Sequence, residues 1–559
     1  MRKRLLFTVC LASGLFLNLS YCSPIKFSGS ASMQTEYSSV SAGPREGEKT
    51  AVRFFVNPTL TIFGMPINLN FFVSNEGSNF RQAMNKLGLT LFPQSLSPEF
   101  TLSQLTLRIS SFTFGRCNPY FSDLTLSGAS VLGGYTELEF MPFYVSLALG
   151  QTKRAVEGSD STEPTYSQML YATRLGFGRR DGTHIHVSAL FARDNPNSIE
   201  QYFKTVVVDS DTVSYEPVTP MENRVLGVDA AISFFNGGVL LGAEVVGCEV
   251  TRDVRTPQLT ISGVPRWVVD IVNPKISTSF DYALALRFSM NIFGASIDAK
   301  AKAVGPGFES FGTPYLRNDI LGYSLSINKG LFGGTALLGL TYEREHDNIL
   351  KVSSSTTDYD CFGASLDLFV GSATTASISY QISDQHTSPT DEDAVNVMVN
   401  TSLMHTMSIL GGENSASLSL MYQQNDEKRS SETIRDSYAT LTLGNTVSFP
   451  SQVALSLSGQ VVTVSSEESP TYLGNVEFTH PIIKRWKNSY GLSFSSDWSG
   501  QRVTLDLSTI VPISRHLGIR LSAYNSFYNK SEDSSGGASE ALIEDFKEFK
   551  FKASVQTNW

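Results

Sequence analysis

Few residues of this chain have types and spacings that suit catalysis or metal binding. The 559 residues include seven histidines, and His184 and His186 stand two positions apart, so their imidazoles share one face if the segment is a β-strand. Zinc sites use at least three protein ligands, and the sequence shows no third ligand near this pair. Cys117, Cys248 and Cys361 are spaced too widely for a metal cluster or a disulfide framework, which leaves a single disulfide as the alternative to three wall cysteines. We therefore predict no metal site and no cofactor.

A hydrolase would need a nucleophile beside a base. His405 has Ser402 and Ser408 close by in sequence, but a serine-rich chain produces such pairs by chance. No Gly-x-Ser-x-Gly motif stands at a predicted strand-to-helix turn. We assign no catalytic residue and predict that the chain is not an enzyme.

The composition is poor in charge and rich in small polar residues. Charged residues make up only 17% of the chain, against about 25% in an average soluble domain, and Ser, Thr, Asn and Gln take their place. That mixture is expected where each strand has one apolar face and one uncharged polar face. The net charge of −10 argues against a nucleic-acid partner, which would need a basic surface.

The dominant pattern is alternation of apolar and polar residues in segments of about ten residues, the length of a tilted transmembrane strand. It is clearest where Phe549, Phe551 and Trp559 fall on one face while Lys550 and Lys552 fall on the other. After the first 22 residues, no run approaches the ~20 apolar residues of a membrane helix, so a membrane crossing would require a closed barrel. The sequence therefore predicts an all-β fold, a single transmembrane antiparallel β-barrel of about 26 strands (roughly 22–30) with no plug domain.

Short and long connections alternate along the predicted strands, as they do in transmembrane barrels, whose turns are short at one end and long at the other. This predicts an even strand number, with both termini at the short-turn end. A strand is predicted over 122–138. The predicted long connections include 194–221, 252–277, 346–357, 385–393 and 426–433.

The segment from Gly305 to Asp319 combines three glycines, two prolines and three aromatic residues. That composition indicates an ordered loop, and loops of this size are often functional. Two interpretations follow, a loop folded into the lumen and a rigid surface loop. The predicted barrel therefore either stays open or is closed by its own loops.

The N-terminus has the organisation of a secretory signal peptide. Three basic residues precede an apolar core from Leu5 to Leu19, and small residues follow up to Cys22. Cleavage after Cys22 divides the chain into a signal peptide, 1–22, and a barrel, 23–559. The alternative is a lipoprotein signal that leaves Cys22 lipidated.

With this N-terminus and the alternating final strand described above, the chain resembles the large bacterial outer-membrane β-barrels, porin-like in the broad sense. The resemblance is specific at residues 1–22 and at the final strand, where Phe549, Phe551 and Trp559 look like the C-terminal signal recognised by the barrel-assembly machinery. It implies export through the cleaved signal peptide and insertion into the outer-membrane lipid of a bacterial cell. It implies no particular substrate.

Charged residues at positions predicted to face the lumen carry both signs. Charged rings set ion selectivity in pores, although any one of these residues could belong to a satisfied wall pair. The candidates are Arg53, Arg174, Arg287, Lys300, Lys302, Arg520, Asp298, Asp367 and Asp506, with Asp229 and Glu244 also opposing the cations.

The predicted function is a passive channel for small solutes. The alternatives are a non-conducting structural or assembly- and secretion-associated component and, third, an outer-membrane hydrolase.

Overall fold

The computed structural model describes most of the chain after residue 24. The described residues are 25–42, 47–62, 65–75, 88–91, 99–102, 105–140, 142–159, 162–208, 211–259, 273–429, 432–465, 470–482, 486–497, 500–530 and 545–559. The predicted signal peptide lies outside them. Among the residues that are described, no helix has both the length and the apolar character needed to cross a lipid bilayer.

The segments with alternating side chains form β-strands, because an extended backbone sends successive side chains to opposite faces. The strands, numbered in chain order, are β1 Ile25–Val40, β2 Gly47–Ile62, β3 Met65–Ser74, β4 Gly88–Leu91, β5 Glu99–Leu102, β6 Leu105–Cys117, β7 Val131–Phe140, β8 Phe143–Lys153, β9 Gln168–Gly178, β10 His184–Asp194, β11 Lys204–Val208, β12 Asp211–Tyr215, β13 Glu222–Phe234, β14 Val239–Thr251, β15 Thr278–Ile292, β16 Ala295–Val304, β17 Ile320–Leu331, β18 Ala336–Asp347, β19 Thr356–Val370, β20 Thr374–Ser388, β21 Glu392–Ile409, β22 Gly412–Arg429, β23 Glu432–Ser448, β24 Ala454–Val464, β25 Thr471–Pro481, β26 Lys487–Asp497, β27 Gly500–Pro512, β28 Leu517–Lys530 and β29 Phe546–Asn558.

Apart from the separate β11–β12 hairpin, the strands form one closed antiparallel ring. The ladder returns to its start because β1 pairs with β29, from Ser30 opposite Asn558 to Val40 opposite Glu548. The sheet has 27 strands, but β4 and β5 pair with different parts of β6, at residues 112–115 and 105–108, and so share one position. In the described part of the chain the ring therefore has 27 minus one, or 26, positions. The predicted antiparallel barrel is confirmed.

The outer face of the barrel is apolar. On β8, Phe143, Leu147 and Leu149 are exposed, whereas Tyr144 and Ala148, on the opposite face, are buried. Exposed leucines, valines and aromatic residues continue on the outer face of the other strands. An outward apolar band on a closed barrel is the surface that lipid covers, and the strands therefore cross a membrane.

The described ends of the chain, near Ile25 and Trp559, lie at one end of the barrel, as predicted. The turns at this terminus end are short, such as 293–294 and 410–411. The opposite end, the loop end, carries the long connections 195–221 and 252–277.

Several strands extend further toward the loop end than the alternation predicts. The predicted long connections 385–393 and 426–433 are wrong, because strand pairing continues and leaves only 389–391 and 430–431 between strands, whereas the predicted connection 346–357 is present but shortened to 348–355. Both faces of these extensions are polar, so the apolar alternation is absent from them. The backbone hydrogen bonds between neighbouring strands nevertheless continue.

The predicted strand 122–138 is wrong over 122–130 and right over 131–138. Strand β7 begins only at Val131, and residues 118–130 form no strand. Leu124 and Leu126 are spaced like two residues on one strand face, but both are buried with Phe121 in a core inside the barrel.

Four turns at the terminus end place bulky apolar residues in the left-handed backbone region. They are Phe235, Phe293, Phe332 and Leu410, with φ of 53°, 48°, 52° and 53°, and each is more than four-fifths exposed, between 84% and 92%. Two-residue hairpin turns normally place Asn, Asp or Gly there, because a Cβ atom is disfavoured at positive φ.

Candidate functional site

Two segments from the loop end fold into the barrel. We call residues 118–130 the first inner segment and residues 305–319 the second inner segment. Beneath them, the inward-facing side chains Leu170 and Ala192 have no exposed surface, although their strands carry exposed residues on the outer face. Phe121, Leu124, Leu126 and Phe308 form a core with that wall. This core covers the inner face of one sector of the barrel, from about β6 to β17.

The two inner segments are bonded to each other. The backbone N–H of Ser127 donates to the carbonyl oxygen of Gly312 at 2.8 Å, and the Ser310 hydroxyl donates to the carbonyl oxygen of Thr125 at 2.8 Å. A Cβ atom at Gly312 would lie 2.5 Å from the Thr125 carbonyl oxygen, so only glycine permits this approach. The two segments therefore form one plug built from loops.

The barrel wall holds the second inner segment through two polar side chains. Asn223 of β13 donates from its amide nitrogen to the carbonyl of Glu309 at 2.8 Å and accepts from the N–H of Phe311 at 2.9 Å. Asp281 of β15 accepts from the N–H of Gly307 at 2.6 Å. Of the two interpretations of this loop, the structure places it inside the lumen.

A buried charge network fixes the first inner segment to the wall. Arg174 of β9 is 1% exposed and pairs with Asp229 of β13 at 2.5 Å, and Arg287 of β15 pairs with the same carboxylate. Arg174 also donates to the carbonyl oxygen of Phe121 in the first inner segment. Removal of one partner from such a buried pair leaves an uncompensated charge, which costs about 3–5 kcal/mol.

A second contact joins Ser122 of the first inner segment to the wall, where its hydroxyl donates to Glu244 of β14. Nearby, the Tyr144 hydroxyl donates to Glu137 at 2.6 Å. Sequence alternation placed Arg174, Arg287, Asp229 and Glu244 at lumen positions separately, and the fold brings them to one place.

The same network contains the only histidine pair that the sequence singled out. His184, His186 and Asp229 each bring one possible ligand atom, all within 4.8 Å of one another, so the structure supplies the third candidate that the sequence did not show. However, Asp229 is paired with two guanidinium groups, and Arg174 donates to Nδ1 of His186 at 3.2 Å. Two adjacent positive charges disfavour the binding of a metal cation here. We therefore interpret the cluster as an ion-pair network and not as a metal site.

The remaining sector of the inner wall is accessible from the lumen. Asp506 and Arg520 line a cavity of about 640 Å³ there, together with several serines and Lys552. Arg53 pairs with Glu36 at 3.1 Å, and Lys552 contacts the same carboxylate at 3.2 Å. At the edge of the covered sector, Lys302 of β16 pairs with Glu345 of β18 at 2.5 Å.

The other predicted lumen residues are placed by strand register. Lys300 lies opposite Arg287 and shares its face, and Asp298 lies two residues earlier on β16 on that face. Asp367 of β19 lies opposite Ser377 of β20, on the polar face.

The register separates the candidate hydrolase residues. Ser402 and His405 stand three positions apart on β21, so their side chains leave opposite faces of the strand. His405 is bonded instead to Thr374, 2.8 Å from Nδ1 to the hydroxyl oxygen. Ser408 lies on the same face as Ser402 and is equally out of reach.

The predicted assembly-signal residues end the last strand. Phe549 and Phe551 are 41% and 39% exposed on the outer face. Trp559 exchanges backbone hydrogen bonds with Gly29 at 2.9 and 3.0 Å, and its indole stacks on Phe27 with ring centres 6.1 Å apart. The final strand is thus joined to the first at the seam of the barrel.

These features define a class, the large outer-membrane-type β-barrel, here with loops folded into its lumen. No protein-family sequence model and no curated protein matches the chain. Among solved structures it is similar to the translocation pore of the P pilus usher PapC, at 12% identity and a TM-score of 0.36 over 95% of this chain and 99% of that chain. It is also similar to the siderophore receptor PirA from Pseudomonas aeruginosa, at 8% identity and a TM-score of 0.36 over 95% and 80%. For OpdK of Pseudomonas aeruginosa, solved with vanillate, the values are 12% and 0.27 over 67% and 98%.

Proposed function

We propose that this chain is a passive channel for small solutes in the bacterial outer membrane. The supporting observation is that the inner segments cover one sector of the wall, whereas the inner face of the other sector is polar and accessible. Barrels of about 16–18 strands already leave an aqueous channel, and this ring has 26 positions in the described part of the chain. The plug therefore narrows a lumen that the wall side chains alone would leave open.

The lumen charges support weak discrimination between anions and cations. Inward-facing residues carry both signs, and several of them are paired, such as Arg53 with Glu36 and Lys302 with Glu345. Neither sign dominates, so no strong ion selectivity is expected.

Export and assembly complete the proposal. Residues 1–22 direct the chain across the inner membrane and are removed, and barrel 23–559 inserts into outer-membrane lipid. The assembly machinery binds the final strand through Phe549, Phe551 and Trp559. We propose no metal, cofactor or catalytic role for any residue, and no nucleic-acid partner.

Conductance across planar bilayers tests the channel. The purified protein should conduct with weak ion preference, and deletion of residues 306–313 should raise the conductance, because that change removes much of the plug. A matched control deletes 204–215, the β11–β12 hairpin in a loop outside the ring. A folded, inserted protein that conducts neither with nor without residues 306–313 would replace the channel by a non-conducting structural or assembly-associated role.

A further inference from the structure

The accessible sector of the inner wall has a distinctive surface, which we call the hydroxyl–amide face. It lies on seven adjacent strands, β20 to β26, and register assigns its residues. They are the odd-numbered residues of 375–387, the even-numbered residues of 394–408, the odd-numbered residues of 413–427, the even-numbered residues of 436–448 and of 454–464, and the odd-numbered residues of 473–479 and of 487–497.

Two rows of directly paired residues run across this face. The first joins Ser377, Ser402, Ser419, Thr442 and Gln460 on five consecutive strands. Every member carries a hydroxyl or an amide, and Ser377 and Ser402 lie 2.6 Å apart, hydroxyl to hydroxyl.

The second row joins Ser458, Asn475 and Ser493 on β24 to β26, and the pairing continues to the buried Thr504 of β27, just beyond the face. The Ser493 hydroxyl donates to Asn475 at 3.1 Å. Neither row contains a charged residue. The charged residues of this face lie at other positions, and Glu477 is the nearest in sequence to the second row, two residues from Asn475; they are Glu413, Glu427, Asp436, Glu477, Lys487 and Asp497.

This face differs from the wall beneath the plug both in the chemistry of its side chains and in its accessibility from the lumen. Beneath the plug, the inner wall carries buried charges and apolar side chains, as at Arg174, Asp229 and Leu170. On the hydroxyl–amide face, Ser402 and Ser419 are exposed to the lumen. The accessible path therefore runs along a face on which uncharged rows of hydroxyls and amides lie between the charged positions.

We infer that the solutes carried by this channel are neutral and polyhydroxylated, such as saccharides. This inference rests on the channel function proposed above. Hydroxyls and amides both donate and accept, so they can exchange hydrogen bonds with successive hydroxyls of a saccharide as it moves along a row. Each exchange replaces bonds to water and gains little, which gives the weak, repeated binding that passage requires. A charged solute would give up hydration without meeting an opposite charge on these rows.

Three solutes of nearly equal size test the charge preference. Efflux of glucose, gluconate and glucosamine from proteoliposomes, measured at high salt to screen the remaining charges, should be fastest for glucose. In planar bilayers, maltotriose added to one side should transiently reduce the ion current.

The rows themselves are tested by removing their hydroxyls. The triple variant Ser402→Ala, Ser419→Ala, Thr442→Val should weaken current reduction by maltotriose about fivefold or more, since each lost hydrogen bond is worth a factor of a few. The control, Thr401→Val with Ser437→Ala, alters the outer faces of β21 and β23 and should leave the effect unchanged. Heat-modifiable migration of both variants checks that the barrels are folded.

The outcomes separate the two proposals. A folded, inserted wild-type protein without conductance overturns the channel and this inference together. A protein that conducts, but passes gluconate or glucosamine as fast as glucose, overturns the inference and leaves the channel standing. Unchanged maltotriose binding by the triple variant likewise excludes the hydroxyl–amide face as the contact surface.

Discussion

Replacement of Asp229 by Asn should release the first inner segment from the wall. Arg174, 1% exposed, would lose its carboxylate, at a cost of about 3–5 kcal/mol, while Arg287, 36% exposed, should add little. Water can reach Arg174 only when residues 118–130 lift, so the variant favours the lifted state. At about 1.4 kcal/mol for each factor of ten, a loss of 3 kcal/mol raises that population about 150-fold.

Hydrogen exchange and conductance report this release. Amide protection across the first inner segment should fall by about two orders of magnitude in Asp229→Asn, following that population, and the conductance should rise or fluctuate. Asp506→Asn is the matched control, because Asp506 makes no ion pair among the described residues and lies away from the plug. Wild-type protection of residues 118–130 in Asp229→Asn would refute the claim that this network holds the plug.

Three further predictions concern single contacts. Gly312→Ala should loosen the plug, because the new Cβ would lie 2.5 Å from a carbonyl oxygen, and trypsin or chymotrypsin should then cut 305–319 faster; unchanged cleavage would contradict it. Phe332→Asn should raise the urea midpoint of unfolding by relieving a left-handed Phe, an effect of about 1 kcal/mol, and a lower midpoint would show that the exposed ring has a stabilising partner such as lipid. Arg255 bonds Asp253 of its own connection at 2.8 Å and lowers the pKa of that carboxyl through side-chain hydrogen bonds, so this bond stabilises the start of the connection 252–277 above the ordinary aspartate pKa and is lost as the pH falls through the lowered one. Proteolysis of 252–277 should therefore rise in acid, and Arg255→Gln should abolish that dependence; a pH dependence that survives the substitution would contradict it.

The wall of the barrel could be predicted because its surroundings impose a pattern on the sequence. Lipid on one side and water on the other require alternation, as in Phe549, Phe551 and their lysine neighbours. Short turns at one end follow from antiparallel pairing. Neither signal depends on contacts between distant residues.

The plug could be predicted only in part. Glycines and prolines distinguish 305–319 from a strand, but Leu124 and Leu126 alternate in 118–130 as they would on a barrel strand. Their burial comes from contacts with β9, β10 and the second inner segment, which lie far away in sequence. The strand extensions were missed for a related reason, since backbone pairing continues where both faces are polar.

The candidate site, like the plug, could be predicted from the sequence only in part. Alternation assigns Arg174, Arg287 and Asp229 to the lumen, yet their meeting depends on which strands are neighbours and on the register between them. The histidine pair illustrates it best, because the third residue of the cluster, Asp229, lies 43 residues beyond His186 in sequence and directly opposite it in the ladder.

Thiol labelling during a conductance recording tests most directly the claim that one sector of the lumen is open and the other covered. In a background with Cys117, Cys248 and Cys361 replaced by alanine, a bulky water-soluble maleimide should react with Ser402→Cys and reduce the current. Ala192→Cys, whose parent residue is fully buried beneath the plug, should not react until the plug is removed by deletion of 306–313. Equal labelling at both positions with the plug intact, or labelling at Ser402→Cys that leaves the current unchanged, would contradict this account of the lumen.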